Sequence, residues 1–113
     1  MSLIKLDTQS VFQQALERSE ETPVVLYKHS VTCPVSAAAN REIEQFAASE
    51  EAPVFKLVVQ KSRDLSAEIE ATLDVRHETP QAIVLLHGKP VFDASHHRVK
   101  AEALRETLEE VRV

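Results

Sequence analysis

The chain has a single cysteine, Cys33, among its 113 residues. One cysteine excludes a disulfide scaffold, which needs paired thiols, and makes a cytoplasmic protein the simplest interpretation. No apolar run approaches the roughly 18 residues that a membrane-spanning helix requires. The first seven residues contain no sustained apolar stretch, so they do not resemble a signal peptide. We therefore expect a cytoplasmic protein with no membrane partner.

An excess of basic residues is also lacking, since 13 Lys and Arg stand against 18 Asp and Glu, for a net charge of −5. Nucleic-acid binding needs clustered Lys and Arg that neutralise phosphates, so we expect no nucleic-acid partner. The hydrophobic content of 43% and charged content of 27% are those of an ordinary globular chain. The length predicts one domain, covering residues 1–113.

Helical and strand periodicities alternate along the chain in the order β-α-β-α-β-α-β-β-α. The predicted segments are a short strand at residues 3–6, a helix that Asp7 or Thr8 caps, a strand at 22–29, a helix at 34–49, a strand at 53–60, a helix that Ser62 caps, strands at 81–87 and 90–95, and a helix at 99–111. This order predicts an α/β protein with a thioredoxin-like fold, in which helices flank a central mixed β-sheet.

The only glycine, Gly88, lies between the last two predicted strands. A tight hairpin turn needs residues with positive φ, which glycine adopts without steric cost. The pattern therefore predicts a β-hairpin whose turn contains Gly88 and Lys89.

Cys33 lies where the second predicted strand gives way to a helix, and Pro34 suits the first turn of that helix. Thr79 and Pro80 stand immediately before the first strand of the predicted hairpin. Thioredoxin-like folds keep their nucleophilic cysteine at the first position and a cis-proline at the second. An inert, buried cysteine is the alternative that the residue type alone favours.

Three segments together resemble the monothiol bacilliredoxins, single-cysteine thioredoxin-like proteins of the bacillithiol system. They are KHSVTCPVS at residues 28–36, VRHETPQAIVLL at 75–86 and DASHHRV at 93–99, although His97 stands where the family has an aromatic residue. The resemblance covers nearly the whole chain. It implies an enzyme that removes bacillithiol from protein mixed disulfides, with Cys33 as nucleophile and bacillithiol as co-substrate.

Several neighbours are candidates for tuning the Cys33 thiolate. A helix N-terminus stabilises a thiolate through its unpaired N–H groups and its dipole, and Thr32 and Pro34 flank the cysteine there. Ser36 lies three residues further on, where its hydroxyl could reach the sulfur or simply cap the helix. Ser36 also occupies the place of the second cysteine in CxxC proteins, so thiol-disulfide exchange on this chain would use the Cys33 sulfur alone.

For substrate binding, the resemblance points to Thr79 and Pro80, whose backbone faces the cysteine in this fold. Bacillithiol carries malate carboxylates, and Lys28 and Arg76 are the basic residues expected nearest the rim of the site. Plain solvated charges are the alternative that these residue types favour. His29, four residues before Cys33, is a candidate proton donor or a surface residue.

We expect no bound cofactor and no metal, because the five histidines and Cys33 match no zinc spacing. Two other functions remain open from the sequence. One is the same chemistry with glutathione or another low-molecular-weight thiol. The other is a non-enzymatic thioredoxin-like binding module, including one that holds an iron–sulfur cluster, which Pro34 disfavours because cluster-holding monothiol glutaredoxins have glycine there.

Overall fold

The computed structural model describes residues 3–32 and 34–111, so Cys33 lies outside the described residues. The elements in chain order are β1 (Leu3–Lys5), α1 (Gln9–Arg18), β2 (Val24–His29), α2 (Pro34–Ala48), β3 (Val54–Val58), α3 (Arg63–Leu73), β4 (Gln81–Leu86), β5 (Lys89–Ser95), a 3₁₀ turn (His96–Arg98) and α4 (Ala101–Val111). This is the predicted order, and no described helix is long and apolar enough to cross a membrane.

The five strands form one mixed sheet in the order β1-β3-β2-β4-β5. β3 pairs in parallel with both β1 and β2, whereas β4 runs antiparallel to β2 and to β5. The central mixed sheet is therefore confirmed. Because β2 is paired on both sides, its carboxyl end is enclosed by β3 and by the start of β4.

The two faces of the sheet carry separate apolar cores, because successive side chains of a strand point to opposite faces. Val25 and Tyr27 of β2 join the core beneath α2 and α4, which also contains Ala39, Ile43, Phe46, Leu104 and Leu108. Val24 and Leu26 join the core beneath α1 and α3, which also contains Phe12, Ala15, Leu65, Ile69 and Leu73. The alternation along β2 thus decides which helix each side chain meets.

The hairpin is present, but its turn lies one residue earlier than predicted. His87 and Gly88 both have positive φ, 55° and 73°, and Lys89 already pairs with Leu86 as the first residue of β5. Two successive positive φ values are those of a type I′ turn, whose twist matches that of the strands. The turn docks on Ser19 at the end of α1, whose carbonyl and hydroxyl accept from the N–H groups of His87 and Gly88 at 2.6 and 2.9 Å.

Helix starts follow the predicted signals in part. Thr8 caps α1, since its Oγ1 accepts from the N–H of Val11 at 3.2 Å. Ser62 holds the N-cap position of α3, but its side chain makes no capping hydrogen bond. The last helix begins at Ala101 rather than at residue 99, because a 3₁₀ turn precedes it and Val99 has extended backbone.

Candidate active site at the carboxyl end of β2

The described neighbours of Cys33 confirm a strand followed by a helix at this point of the chain. β2 ends at His29, residues 30–32 form the connection, and α2 begins at Pro34. Thr32 and Pro34 are both exposed. The two elements that flank the cysteine are thus in the predicted places, while the role of the cysteine itself stays a prediction.

The segment before β4 lies beside this connection. Gln81 is the antiparallel partner of Lys28, so Pro80 and Thr79 extend alongside the residues that leave β2. The Thr79–Pro80 peptide bond is cis, as expected. Pro80 is buried and Thr79 half-buried. The sequence-predicted pair therefore lies next to the connection that leads to Cys33.

The segment at residues 95–96 joins the same end of the sheet. Ser95 Oγ donates to Glu78 Oε2 at 3.0 Å, and the N–H of His96 donates to the carbonyl of Pro80 at 2.9 Å. His96 and His97 themselves are exposed in the 3₁₀ turn. The second and third segments on which the resemblance depends are thus in direct contact.

Ser36 is fully buried in the first turn of α2, at 0% exposure. Its Oγ has no hydrogen-bond partner among the residues that the structure describes. A buried hydroxyl without a hydrogen-bond partner lowers the free energy of unfolding by about 1–3 kcal/mol. The carbonyl of Ser36 accepts from the hydroxyl of Tyr27 at 3.4 Å.

Tyr27 and His29 form a pair beneath α2 that sequence reasoning missed. The Tyr27 hydroxyl and His29 Nδ1 are 3.0 Å apart, and the two rings are 5.7 Å apart between centroids. Burial lowers the pKa of His29 below its ordinary 6.5, and the positive charge of Lys56 adds to this, while Glu44 opposes it. The i, i+2 spacing on a strand was the signal, because it places both side chains on one face.

The expectation that Lys28 lies at the rim is wrong, because its side chain is only 1% exposed. Lys28 is flanked in sequence by Tyr27 and His29, so strand alternation turns it to the opposite face, under α3. Its Nζ lies 3.4 Å from the carbonyl of Ser66 and 3.2 Å from Nδ1 of His77. Burial lowers the pKa of the Lys28 ammonium from its ordinary 10.5, and Glu70 opposes this shift in part.

His77 completes this polar cluster under α3. Ser66 Oγ lies 3.1 Å from His77 Nδ1, and the His77 N–H donates to Glu70 Oε2 at 2.7 Å. Burial and then the charge of Lys28 lower the pKa of His77, whereas Glu70 and Glu78 raise it. The cluster lies on the face of the sheet opposite α2.

Arg76 stays a candidate ligand because its side chain is exposed. Its carbonyl accepts from Gln81 Nε2 at 2.8 Å, which ties the backbone before Pro80 to the first residue of β4. Within residues 3–32 and 34–111, no three His, Cys, Asp or Glu side chains are arranged to hold a metal ion.

Solved structures share this architecture over almost the whole chain. Thioredoxin from Trypanosoma brucei brucei matches with a TM-score of 0.78 at 16% identity, over 98% of this chain and 91% of that one. Reduced thioredoxin pre-protein from Schistosoma mansoni matches with a TM-score of 0.75 at 15% identity, over 97% and 98%. At these identities the likeness shows the fold alone, which is the thioredoxin fold.

A more similar solved structure is a proposed oxidoreductase with a thioredoxin fold. It is 33% identical to this chain, with a TM-score of 0.84, over 93% of this chain and 92% of that one. The fold and the elements around Cys33 accordingly define a thiol-disulfide oxidoreductase of the thioredoxin class. The family model described as monothiol bacilliredoxin BrxC matches residues 4–104, and the chain belongs to that family.

Proposed function

We propose that this protein removes bacillithiol from protein mixed disulfides, with Cys33 as the nucleophile and free bacillithiol as co-substrate. The family match supports bacillithiol as the small thiol, and the observation that carries Cys33 as the nucleophile is the buried Ser36 hydroxyl, which has no partner among the described residues. Ser36 lies three residues after Cys33 in the first turn of α2. A thiolate at that helix N-terminus would accept the hydrogen bond that the hydroxyl lacks.

The reaction balances with one protein sulfur and two exchanges. The Cys33 thiolate attacks the bacillithiol sulfur of the mixed disulfide, and the substrate's cysteine leaves as a thiolate that takes up a proton from water. A second bacillithiol, as thiolate, then attacks the bacillithiol sulfur bound to Cys33. The products are bacillithiol disulfide and the regenerated Cys33 thiolate, so no resolving cysteine is needed.

Stabilising the thiolate assists the second exchange more than the first. For a thiol at pH 7, lowering the pKa from about 8.5 to about 6 raises the thiolate fraction about 30-fold. The nucleophilicity of each thiolate falls about 13-fold over the same range, so attack gains only two- to threefold. A thiolate of low pKa is also the better leaving group, which speeds its release from its own mixed disulfide. Thr32, Pro34 and Ser36 are the residues proposed for this tuning.

For substrate binding we propose the backbone of Thr79, beside buried Pro80. Both lie alongside the connection before Cys33, and Thr79 is half-buried. A backbone N–H and C=O at such a place suit an extended ligand. Arg76 is the cationic candidate for the malate carboxylates of bacillithiol, because it is an exposed residue three positions before Thr79. Lys28 has no part in this step, since it is buried under α3.

The test is intact-mass spectrometry of the protein mixed with a bacillithiolated test protein, and in parallel with a glutathionylated one. We expect Cys33 to gain the bacillithiol mass while the substrate loses it, and free bacillithiol to remove the adduct. The Cys33→Ser variant serves as the matched control and should gain no mass.

Transfer of glutathione alone would move the assignment to a glutathione-dependent enzyme. Transfer of neither thiol, with a Cys33 that also resists a small alkylating agent, would leave a binding module and overturn the proposal. The reaction as proposed belongs in a reducing compartment that contains bacillithiol, for which we propose the cytoplasm.

A further inference from the structure

The side chain of Gln60 contacts all three residues of the connection that leads from β2 to Cys33. Its Oε1 accepts from the N–H of Val31 at 3.2 Å, and its Nε2 donates to Ser30 Oγ at 2.8 Å. Nε2 also lies 3.3 Å from Thr32 Oγ1. The oxygen and the nitrogen of one primary amide therefore both make contacts, and together they reach three successive residues.

These contacts extend the pairing of β2 with β3 beyond its last backbone hydrogen bond. The N–H of Val59 donates to the carbonyl of His29 at 2.9 Å, and Gln60 is the next residue. A primary amide offers the same C=O and N–H groups as a peptide. The Gln60 side chain thus adds hydrogen bonds of the kind that pair two strands, at the point where the chain leaves the sheet.

The connection depends on this amide for its polar groups. The N–H of Val31 donates its hydrogen bond to Gln60. Val31 itself is 63% exposed. Ser30 is buried, and its Oγ lies 3.3 Å from Thr32 Oγ1. Apolar packing does not hold the Val31 side chain, so the hydrogen bond from its N–H to Gln60 is the described contact that holds this residue.

We propose that Gln60 is a positioning residue for the thiol-disulfide exchange, because it fixes residues 30–32 and hence the peptide that enters Cys33. This inference rests on the proposed function, since it assigns Gln60 to the same reaction. α2 fixes the chain that follows the cysteine, and Gln60 fixes the chain that precedes it. A thiolate gains from the helix N-terminus only where it is held against it, as the dipole effect falls off within one turn.

The test uses Gln60→Met, which keeps the length and bulk of the side chain but has no amide. The matched control is Gln14→Met, at an exposed glutamine of α1. Two readouts are measured: the pH dependence of Cys33 alkylation by iodoacetamide, and the second-order rate of bacillithiol transfer. Circular dichroism establishes that each variant is folded.

We expect Gln60→Met to slow bacillithiol transfer about tenfold and to move the alkylation inflection upward, towards the pH of a free thiol. Gln14→Met should leave both unchanged. A merely structural role would lower the folded fraction without moving the inflection. An unchanged inflection together with a transfer rate within twofold of the original protein would overturn the inference.

Two further variants keep the inference testable if Gln60→Met does not fold. Ser30→Ala removes the shorter contact of Nε2 and should shift the inflection upward by less than Gln60→Met. Thr32→Val removes the longer one and should add to that shift in the double variant. No shift in Ser30→Ala would overturn the inference. If the unmodified protein transfers no thiol, the proposed function fails. The pH inflection of Cys33 alkylation, compared between Gln60→Met and the unmodified protein, still decides whether Gln60 positions Cys33.

Discussion

Replacing the buried amine in Lys28→Met should change how stability depends on pH. The unfolded Lys28 side chain keeps its proton up to about pH 10.5. Burial lowers the pKa in the folded protein, so the folded state loses this proton at a lower pH. Between the two values the unfolded state binds more protons, and the free energy of unfolding of the original protein rises with pH.

The size of the effect follows from the contacts of Nζ. One proton gives a slope of at most about 1.4 kcal/mol per pH unit, and the variant should lose that component entirely. At pH 7, Met removes two long contacts, to Ser66 at 3.4 Å and His77 at 3.2 Å, each worth about 0.5–1.5 kcal/mol. It also removes the free-energy cost of either burying the ammonium or deprotonating it, so we expect the variant to range from equal stability to a gain of about 2 kcal/mol.

The assay is urea unfolding at pH 7, 8, 9 and 10, comparing Lys28→Met with the original protein. Lys61→Met, at an exposed lysine, is the control and should show no pH-dependent difference. We expect any advantage of the Lys28→Met variant to shrink as the pH rises, because only the original protein gains from deprotonation. A difference that stays constant from pH 7 to 10 would refute the reasoning that burial lowers the pKa of Lys28 in the folded protein.

Three other substitutions test single contacts. Ser36→Ala should raise the pH inflection of Cys33 alkylation, and an unmoved inflection would remove Ser36 from the thiolate site. Ser19→Ala should lower the free energy of unfolding in urea by about 1–3 kcal/mol, since it removes the acceptor of the partly buried hydrogen bond from the Gly88 N–H; no change would mean that water replaces the hydroxyl. His29→Gln should retain more stability at pH 5 than the original protein does, relative to pH 7.5, because burial lowers the pKa of His29 below 6.5 and folding therefore resists its protonation. Equal acid losses in urea unfolding would contradict the His29 assignment.

The order of elements and the place of the candidate site could be predicted from local patterns. Alternating periodicities indicated each described helix and the mixed sheet, and Pro34 marked the start of α2. The hairpin followed from the single glycine, with an error of one residue. That error arose because His87 adopts positive φ as well, which is uncommon for a residue other than glycine.

The polar contacts that surround the site depend on the tertiary structure. Lys28 meets His77 across 49 positions of sequence, and Gln60 meets Val31 across 29. The period of two places Lys28 on the face opposite Tyr27, but only the pairing of β2 on both sides and the packing of α3 above it bury the amine. The sequence by itself thus determined the fold class and the family, because these depend on short-range pattern and motif. The folded sheet decided which charges are buried and which amide holds the connection before Cys33, because those contacts exist only once distant strands have paired.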